Sequence, residues 1–109
     1  MPAAGPINLA RVKVSGVLAT SLLDTGSQVT TVTDEFVKRH PTLSQQPLHP
    51  SDVSISGAGG QGVPHHGVIV VDLEALGQCI CRVPAFVVPV TPFRLETPVL
   101  IGTNVIRAS

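Results

Sequence analysis

An all-β fold is predicted for this chain, and three observations carry the prediction. Short Val-rich runs with period-two alternation recur along the sequence. Ten Gly and ten Pro in 109 residues punctuate those runs at turn spacing. One short stretch carries paired helix start and stop signals, and it is too brief to dominate a fold. A chain of this length makes one small domain, 1–109, with a modest core.

The elements follow in order. Residues 10–14 place Val12 and Val14 on one face and Arg11 and Lys13 on the other, which is strand spacing. Ser15-Gly16 is a turn signal, and 17–23 resumes as a second strand. The β-branched run 29–32 is a third. Thr33 then caps a short helix, with Asp34 and Glu35 in its first turn, Lys38, Arg39 and His40 in its last, and Pro41 as its stop. Residues 42–51 are polar and Pro-rich, hence a loop. Strands at 53–55 and 63–73 flank the Gly-rich bend "SGAGGQG". Residues 80–90 form another strand, parts of which Pro84 and Pro89 confine to an edge or a bulge. Residues 99–101 make a short buried strand, and Gly102-Thr103-Asn104 starts a final helical turn. No internal repeat or domain boundary is visible.

Composition excludes several roles. Seven acidic residues balance seven basic ones, with no basic stripe, so nucleic acid is not an expected partner. No apolar run approaches a membrane span, and no secretory leader opens the sequence. Cys79 and Cys81 lie two apart, on one face of a strand and poorly placed to bridge each other. Two reduced thiols point to an intracellular, cytoplasmic protein.

Four stretches bear on chemistry. Residues 57–62 fit G-x-G-x-x-G, but strand rather than helix follows, so a hairpin tip is favoured over a phosphate cradle. His65, His66, Cys79 and Cys81 match no common zinc spacing and read as surface residues, so no metal or cofactor is expected. Ser27 lacks the strand-turn-helix elbow of a hydrolase serine. Asp24 is different. In "SLLDTGS" two apolar residues deliver a carboxylate where a strand should still be buried. Such a group must be hydrogen-bonded or put to use. One reading is an Asp that caps a tight turn, accepting from the amides of Gly26 or Ser27. The other is a working carboxylate, with Gly26 allowing close approach of a ligand backbone.

Context separates the two. The motif "LLDTGS", the Gly-rich "ISGAGGQG" and the later "VLIGTN" occur in that order across residues 9–106. This set resembles the retropepsins, the aspartic proteases of retroviruses and long-terminal-repeat retrotransposons. The resemblance implies a retropepsin-like fold: a closed, barrel-like lobe with a flap hairpin and one or two short helices, one lobe per chain. It makes Asp24 the catalytic carboxylate, with Thr25 donating across a dimer axis and Gly26 letting the substrate backbone pass. Ser27 would hydrogen-bond the outer carboxylate oxygen, and Gln28 would sit beside the substrate. Ser56, Gly57, Ala58 and Gly59 would belong to the flap. Leu22, Thr31, Ile55, Pro98 and Leu100 would line side-chain pockets.

The sequence departs from the family pattern in two places. Many members carry an acid at the position of Gln28 and an Arg at that of Thr103, forming an ion pair that is absent here. Many also continue into a strand that joins the dimer sheet, whereas this sequence ends at Ser109. Both departures predict a weak dimer, micromolar or weaker, about −8 kcal/mol or less favourable.

Cleaving a peptide without a metal or nucleophilic side chain needs two carboxylates sharing a proton, since two like charges about 3 Å apart cannot both ionise. The sequence holds one Asp-Thr-Gly, and Asp34, Glu35, Asp52, Asp72, Glu74 and Glu96 lack the motif. The resemblance therefore implies a homodimer with its active site on the two-fold axis, a polypeptide substrate and origin in a larger polyprotein. Two other readings are a dimerising or peptide-binding module of the same fold without proteolysis, and a structural monomer within a polyprotein.

Overall fold

The computed structural model describes residues 8–24, 26–50, 55–56, 62–63, 65–75, 77–102 and 105. Six strands close into a barrel: β1 (Leu9–Val14), β2 (Val17–Leu23), β3 (Thr30–Thr33), β6 (Gly67–Ala75), β7 (Gln78–Val88) and β8 (Val99–Ile101), in the order β1-β2-β8-β3-β7-β6. Two more, β4 (Ile55–Ser56) and β5 (Gly62–Val63), pair as a separate antiparallel ribbon. Two short helices, α1 (Asp34–Arg39) and α2 (Pro41–Ser44), follow β3. The all-β expectation holds, with one barrel lobe per chain.

The β1–β2 hairpin turns on Ser15 and Gly16, at φ of 47° and 87°. Positive φ at both central residues matches the twist of the flanking strands. The turn is fastened to β6, because Ser15 N–H donates to the Asp72 carbonyl (2.7 Å) and Asp72 N–H donates to Ser15 Oγ (3.1 Å). Opposite Asp72 the β6–β7 register slips: Val71 pairs with Val83 but Leu73 with Ile80. Cys81 and Arg82 thus face one residue, a bulge. Arg82 takes φ 59°, and its N–H donates to Asp72 Oδ1 at 3.0 Å. Cys79 and Cys81 are free and exposed beside the bulge.

Alternation on the strands fills the barrel. Val12, Val14, Val32, Ile69, Val71, Leu73, Val99 and Ile101 are buried together, with Phe36 and Leu43 of the helices against them. At roughly 1.5–3 kcal/mol for each fully buried aliphatic side chain, this cluster is the main favourable term in folding. A smaller cluster, Phe86 and Val88 with Val29 and Val68 packed on it, lies on the other face of β3–β7.

Several boundaries differ from the sequence reading. The strand expected from Val29 begins at Thr30. The run 63–73 is divided, since Gly62–Val63 pairs with Ile55–Ser56 while Gly67–Ala75 joins β1 and β7. Val53 lies outside the described residues. The strand expected at 80–90 runs Gln78–Val88 and stops before Pro89. Pro84 is tolerated because β3 joins β7 only from Ala85 onward, so that stretch has a partner on one side alone. The loop expected at 42–51 opens with α2, because Pro41 both ends α1 and sits at the first helical position, where its missing N–H costs nothing. His40 is the extended cap of α1 rather than part of its last turn. His65 is not a solvated surface residue; it is half-buried and meets the Phe86 ring edge-on, centroids 5.0 Å apart. Val105 N–H donates to the Gly102 carbonyl (3.1 Å), while Thr103 and Asn104 of the expected final helical turn lie outside the described residues.

The cap of α1 also ties down the approach to β6. Thr33 Oγ1 accepts from Phe36 N–H (3.3 Å). Asp34 Oδ1 accepts from Val90 N–H (3.1 Å), and its Oδ2 lies 3.1 Å from His66 Nε2. Partial burial pushes the Asp34 carboxyl up, but hydrogen bonds from His66, Val90 and Glu35 and the His66 charge outweigh it, so the net shift is below the ordinary value of 3.8. A depressed carboxylate contributes stability that is complete above its unfolded value and is lost as pH falls through the folded one. Asp34→Asn is therefore expected to lower stability at neutral pH and to flatten its decline below about pH 4. Urea unfolding at pH 7 and pH 3 checks this, and an unchanged difference between the two pH values would refute it. Among the described residues no helix is long and apolar enough to cross a membrane.

Candidate active site

Strand β2 runs into Asp24 beside β8. The two strands are parallel, with Ser21, Leu22 and Leu23 in register with Val99, Leu100 and Ile101. Asp24 N–H extends that ladder by one bond, to the Ile101 carbonyl (3.0 Å). The chain then turns sharply, and Ser27 N–H donates to the Asp24 carbonyl at 3.2 Å. Gly26 N–H donates to Asp24 Oδ1 at 2.9 Å. The turn-capping role is therefore real. It occupies one carboxylate oxygen, and among the described residues no hydrogen bond is made to Oδ2. Asp24 is half-buried, and Gly26 is exposed. A Cβ at Gly26 would stand 3.2 Å from Asp24 Oδ1, a tight contact that the carboxylate would have to relieve by shifting.

The turn rests on Gly102. A Cβ there would lie 2.6 Å from the Val29 carbonyl carbon and 2.8 Å from Val29 N. Only Gly lets β8 leave the barrel beneath the loop that carries Asp24. Gly102 N–H donates to Thr30 Oγ1 (3.3 Å), and Thr30 is fully buried. Thr30 thereby joins the end of β8 to the end of the loop. It drew no attention in the sequence, where a Thr among β-branched strand residues has no distinguishing signal.

Register brings three predicted pocket residues together. Leu22 pairs with Leu100, and Leu100 with Thr31, so the three stand side by side on one face. Pro98 lies one step beyond Val99 and accepts from Thr33 N–H (3.0 Å). Ser27 is placed differently from expectation: its hydroxyl donates to the Val29 carbonyl (2.9 Å), not to a carboxylate oxygen. A hydroxyl has one proton to give. Gln28 is exposed and makes no hydrogen bond or ion pair among the described residues. Ile55 and Ser56 are seen as backbone in β4, paired with Val63 and Gly62. Thr25, Gly57, Ala58 and Gly59 lie outside the described residues, as does Thr103. Among the described residues, no group of three or more His, Cys, Asp or Glu side chains is arranged to hold a metal ion.

Arg94 is the second residue that sequence reasoning passed over. It ends a single 3₁₀ turn, Pro92–Arg94, and reaches back to Thr31 and Pro98. Nε donates to the Thr97 carbonyl (2.9 Å), and Nη2 donates to the Pro98 carbonyl (3.1 Å) and to Thr31 Oγ1 (3.2 Å). The available signal was a cation in a Pro-rich, mostly apolar stretch, with Glu96 two residues on.

Comparison with known proteins agrees with this geometry. The profile of the aspartyl protease family matches residues 10–105. Comparison with curated proteins finds no match. Among solved structures, the EIAV protease in complex with the inhibitor HBY-793 superposes with a TM-score of 0.68 at 19% identity, over 99% of this chain and 92% of that one. The retroviral protease-like domain of Ddi1 from Leishmania major superposes with a TM-score of 0.66 at 16% identity, over 96% of this chain and 78% of that one. At these identities the two structures speak for the fold, and the profile match speaks for the family. With a barrel of the retroviral-protease type and an Asp-Thr-Gly turn carried between β2 and β3, this chain belongs to the aspartyl protease family.

Proposed function

We propose that the protein is a homodimeric aspartic endopeptidase whose two Asp24 carboxylates meet on the dimer axis. The observation that carries this reading is the Asp24 turn: one oxygen is held by Gly26 N–H, and nothing among the described residues bonds the other. A single carboxylate cannot be base and acid in the same step, and the sequence offers one Asp-Thr-Gly. A partner copy supplies the second. One Asp24 draws a proton from a water held between the pair, and that water attacks the scissile carbonyl carbon. The other Asp24, protonated, hydrogen-bonds the carbonyl oxygen. The proton then passes to the amine as the C–N bond breaks. Thr25 would brace the two loops against each other, and Gly57, Ala58 and Gly59 would close over the substrate. The face of Leu22, Thr31 and Leu100 would receive substrate side chains, with Leu22 and Leu100 as its apolar wall. A polyprotein of the retroviral or retrotransposon type is the proposed natural substrate.

Cleavage of a peptide library with and without pepstatin tests the assignment. Inhibitor-sensitive cleavage supports it, and peptide binding without cleavage would leave a binding module of the same fold. Two further outcomes are expected. The rate should pass through a maximum on the acid side of neutrality, as one shared proton requires; a rate still rising at pH 9 would count against the pair. Below its dissociation constant the dimer fraction falls with dilution, so activity should vary as the square of protein concentration. Strict first-order dependence, with a monomer by analytical ultracentrifugation, would overturn the shared site.

A further inference from the structure

Arg94 carries a full positive charge into the edge of the pocket face, and no acid in the described structure answers it. Its guanidinium is half-buried, and burial pushes its pKa down, although an arginine stays charged at any working pH. The ion pairs among the described residues are Arg39 with Glu35 and His66 with Asp34. Glu96, two residues away, is exposed and not paired with Arg94. The three hydrogen bonds that the Arg94 side chain makes all end on neutral oxygens: the Thr97 and Pro98 carbonyls and the Thr31 hydroxyl. They engage Nε and Nη2. Both Nη1 hydrogens have no partner among the described residues.

A partly desolvated cation with neutral partners alone is poorly compensated, and a carboxylate is the group that compensates it best. The position of the cation is informative. Thr31 stands next to Leu100, which stands next to Leu22, two residues before Asp24. Arg94 is bonded to that same Thr31 and to Pro98. It is thus joined to two of the residues proposed to line the substrate pocket.

We propose that Arg94 is a specificity-determining residue that selects peptides with an acidic side chain at the subsite bordered by Thr31 and Pro98. This rests on the peptidase reading above and refines it. An apolar wall from Leu22 and Leu100 accepts the stem of a Glu side chain, and Nη1 meets its carboxylate. A two-fold dimer repeats the arrangement, so the preference appears at two positions related by the axis, one on each side of the scissile bond.

The test is competition between peptides that differ only in Glu against Gln, scanned over each position flanking the cleaved bond. Both peptides meet the same enzyme in one tube, so the ratio of their kcat/KM values is independent of how much protein is folded. Wild-type protein is expected to prefer Glu about tenfold at the Arg94 subsite, the scale of one charge-assisted hydrogen bond. Arg94→Gln should bring that ratio to near one, and Arg94→Lys should restore part of it. Equal use of Glu and Gln at every position by the wild type would overturn the proposal, as would a preference unchanged in Arg94→Gln. If no peptide is cleaved, the peptidase reading fails by itself. The same library is then captured on immobilised protein and read by mass spectrometry. Enrichment of Glu over Gln that disappears in Arg94→Gln upholds the Arg94 assignment, and capture without that enrichment, or no capture, refutes it.

Discussion

Asp24→Asn is expected to abolish peptide cleavage while leaving the protein folded. The amide is nearly isosteric and keeps an oxygen to accept from Gly26 N–H, a bond of 2.9 Å in the wild type. The strand that carries residue 24 is held by main-chain bonds, including Asp24 N–H to the Ile101 carbonyl, which the substitution does not touch. Thermal unfolding should therefore move little. Chemistry should move greatly. An amide neither takes a proton from water nor gives one to a departing amine, and general acid–base catalysis alone is worth roughly 10²–10⁴-fold. Because every dimer of the variant lacks both carboxylates, the loss should reach roughly 10⁴-fold or more. Cleavage of a fluorogenic peptide by purified variant and wild type gives the answer, with circular dichroism to establish folding. A folded variant retaining a tenth of the activity would end the catalytic assignment.

Gly102→Ala is expected to damage the fold and the site together. The new methyl group would stand 2.6 Å from the Val29 carbonyl carbon and 2.8 Å from its nitrogen, distances that Cβ atoms do not adopt. The obstacle is main chain, with no rotamer to yield. Either the loop carrying Asp24 lifts or β8 shifts, and β8 is anchored in the core by Val99 and Ile101, 0% and 3% exposed. Forcing atoms into a packed site costs about 1–3 kcal/mol where side chains can adjust, and this site should lie at or above the top of that range. Moving the loop would also stretch the Gly102 N–H bond to Thr30 Oγ1. Urea unfolding measures the cost, and activity at a concentration where the variant is folded measures the displacement. A midpoint unchanged from wild type would show that the loop and β8 do not press on each other in solution.

The two variants separate what each glycine or carboxylate does, and both positions stood out in the sequence. "LLDTGS" was legible because an apolar strand ending in an acid and a glycine is a conflict that local structure alone does not settle. "VLIGTN" was legible as a strand closed by Gly. The resemblance placed that Gly under the Asp24 loop, but its contact with Val29 was not legible, because Val29 lies seventy-three positions away in a chain whose contacts are mostly long-range. The helix around Asp34 was legible to within one residue, since caps and end charges are local. Pro41 misled, because one residue type both ends a helix and begins one. The strand at 63–73 was drawn whole because its β-character is continuous, although its two parts join different sheets.

Sequence by itself determined the β class, the turns and the short helix, and it singled out Asp24 as the carboxylate that calls for a reason. Each depends on residues within a few positions of one another, where backbone preference and hydrophobic period act directly. Tertiary structure alone decided which strands are neighbours, that Leu22, Leu100 and Thr31 stand in one row, and that Ser27 serves Val29 rather than a carboxylate. It alone joined Arg94 to Thr31 across sixty-three positions of chain. Pairing of distant strands is fixed by which faces bury together when the barrel closes, and no local period encodes that choice.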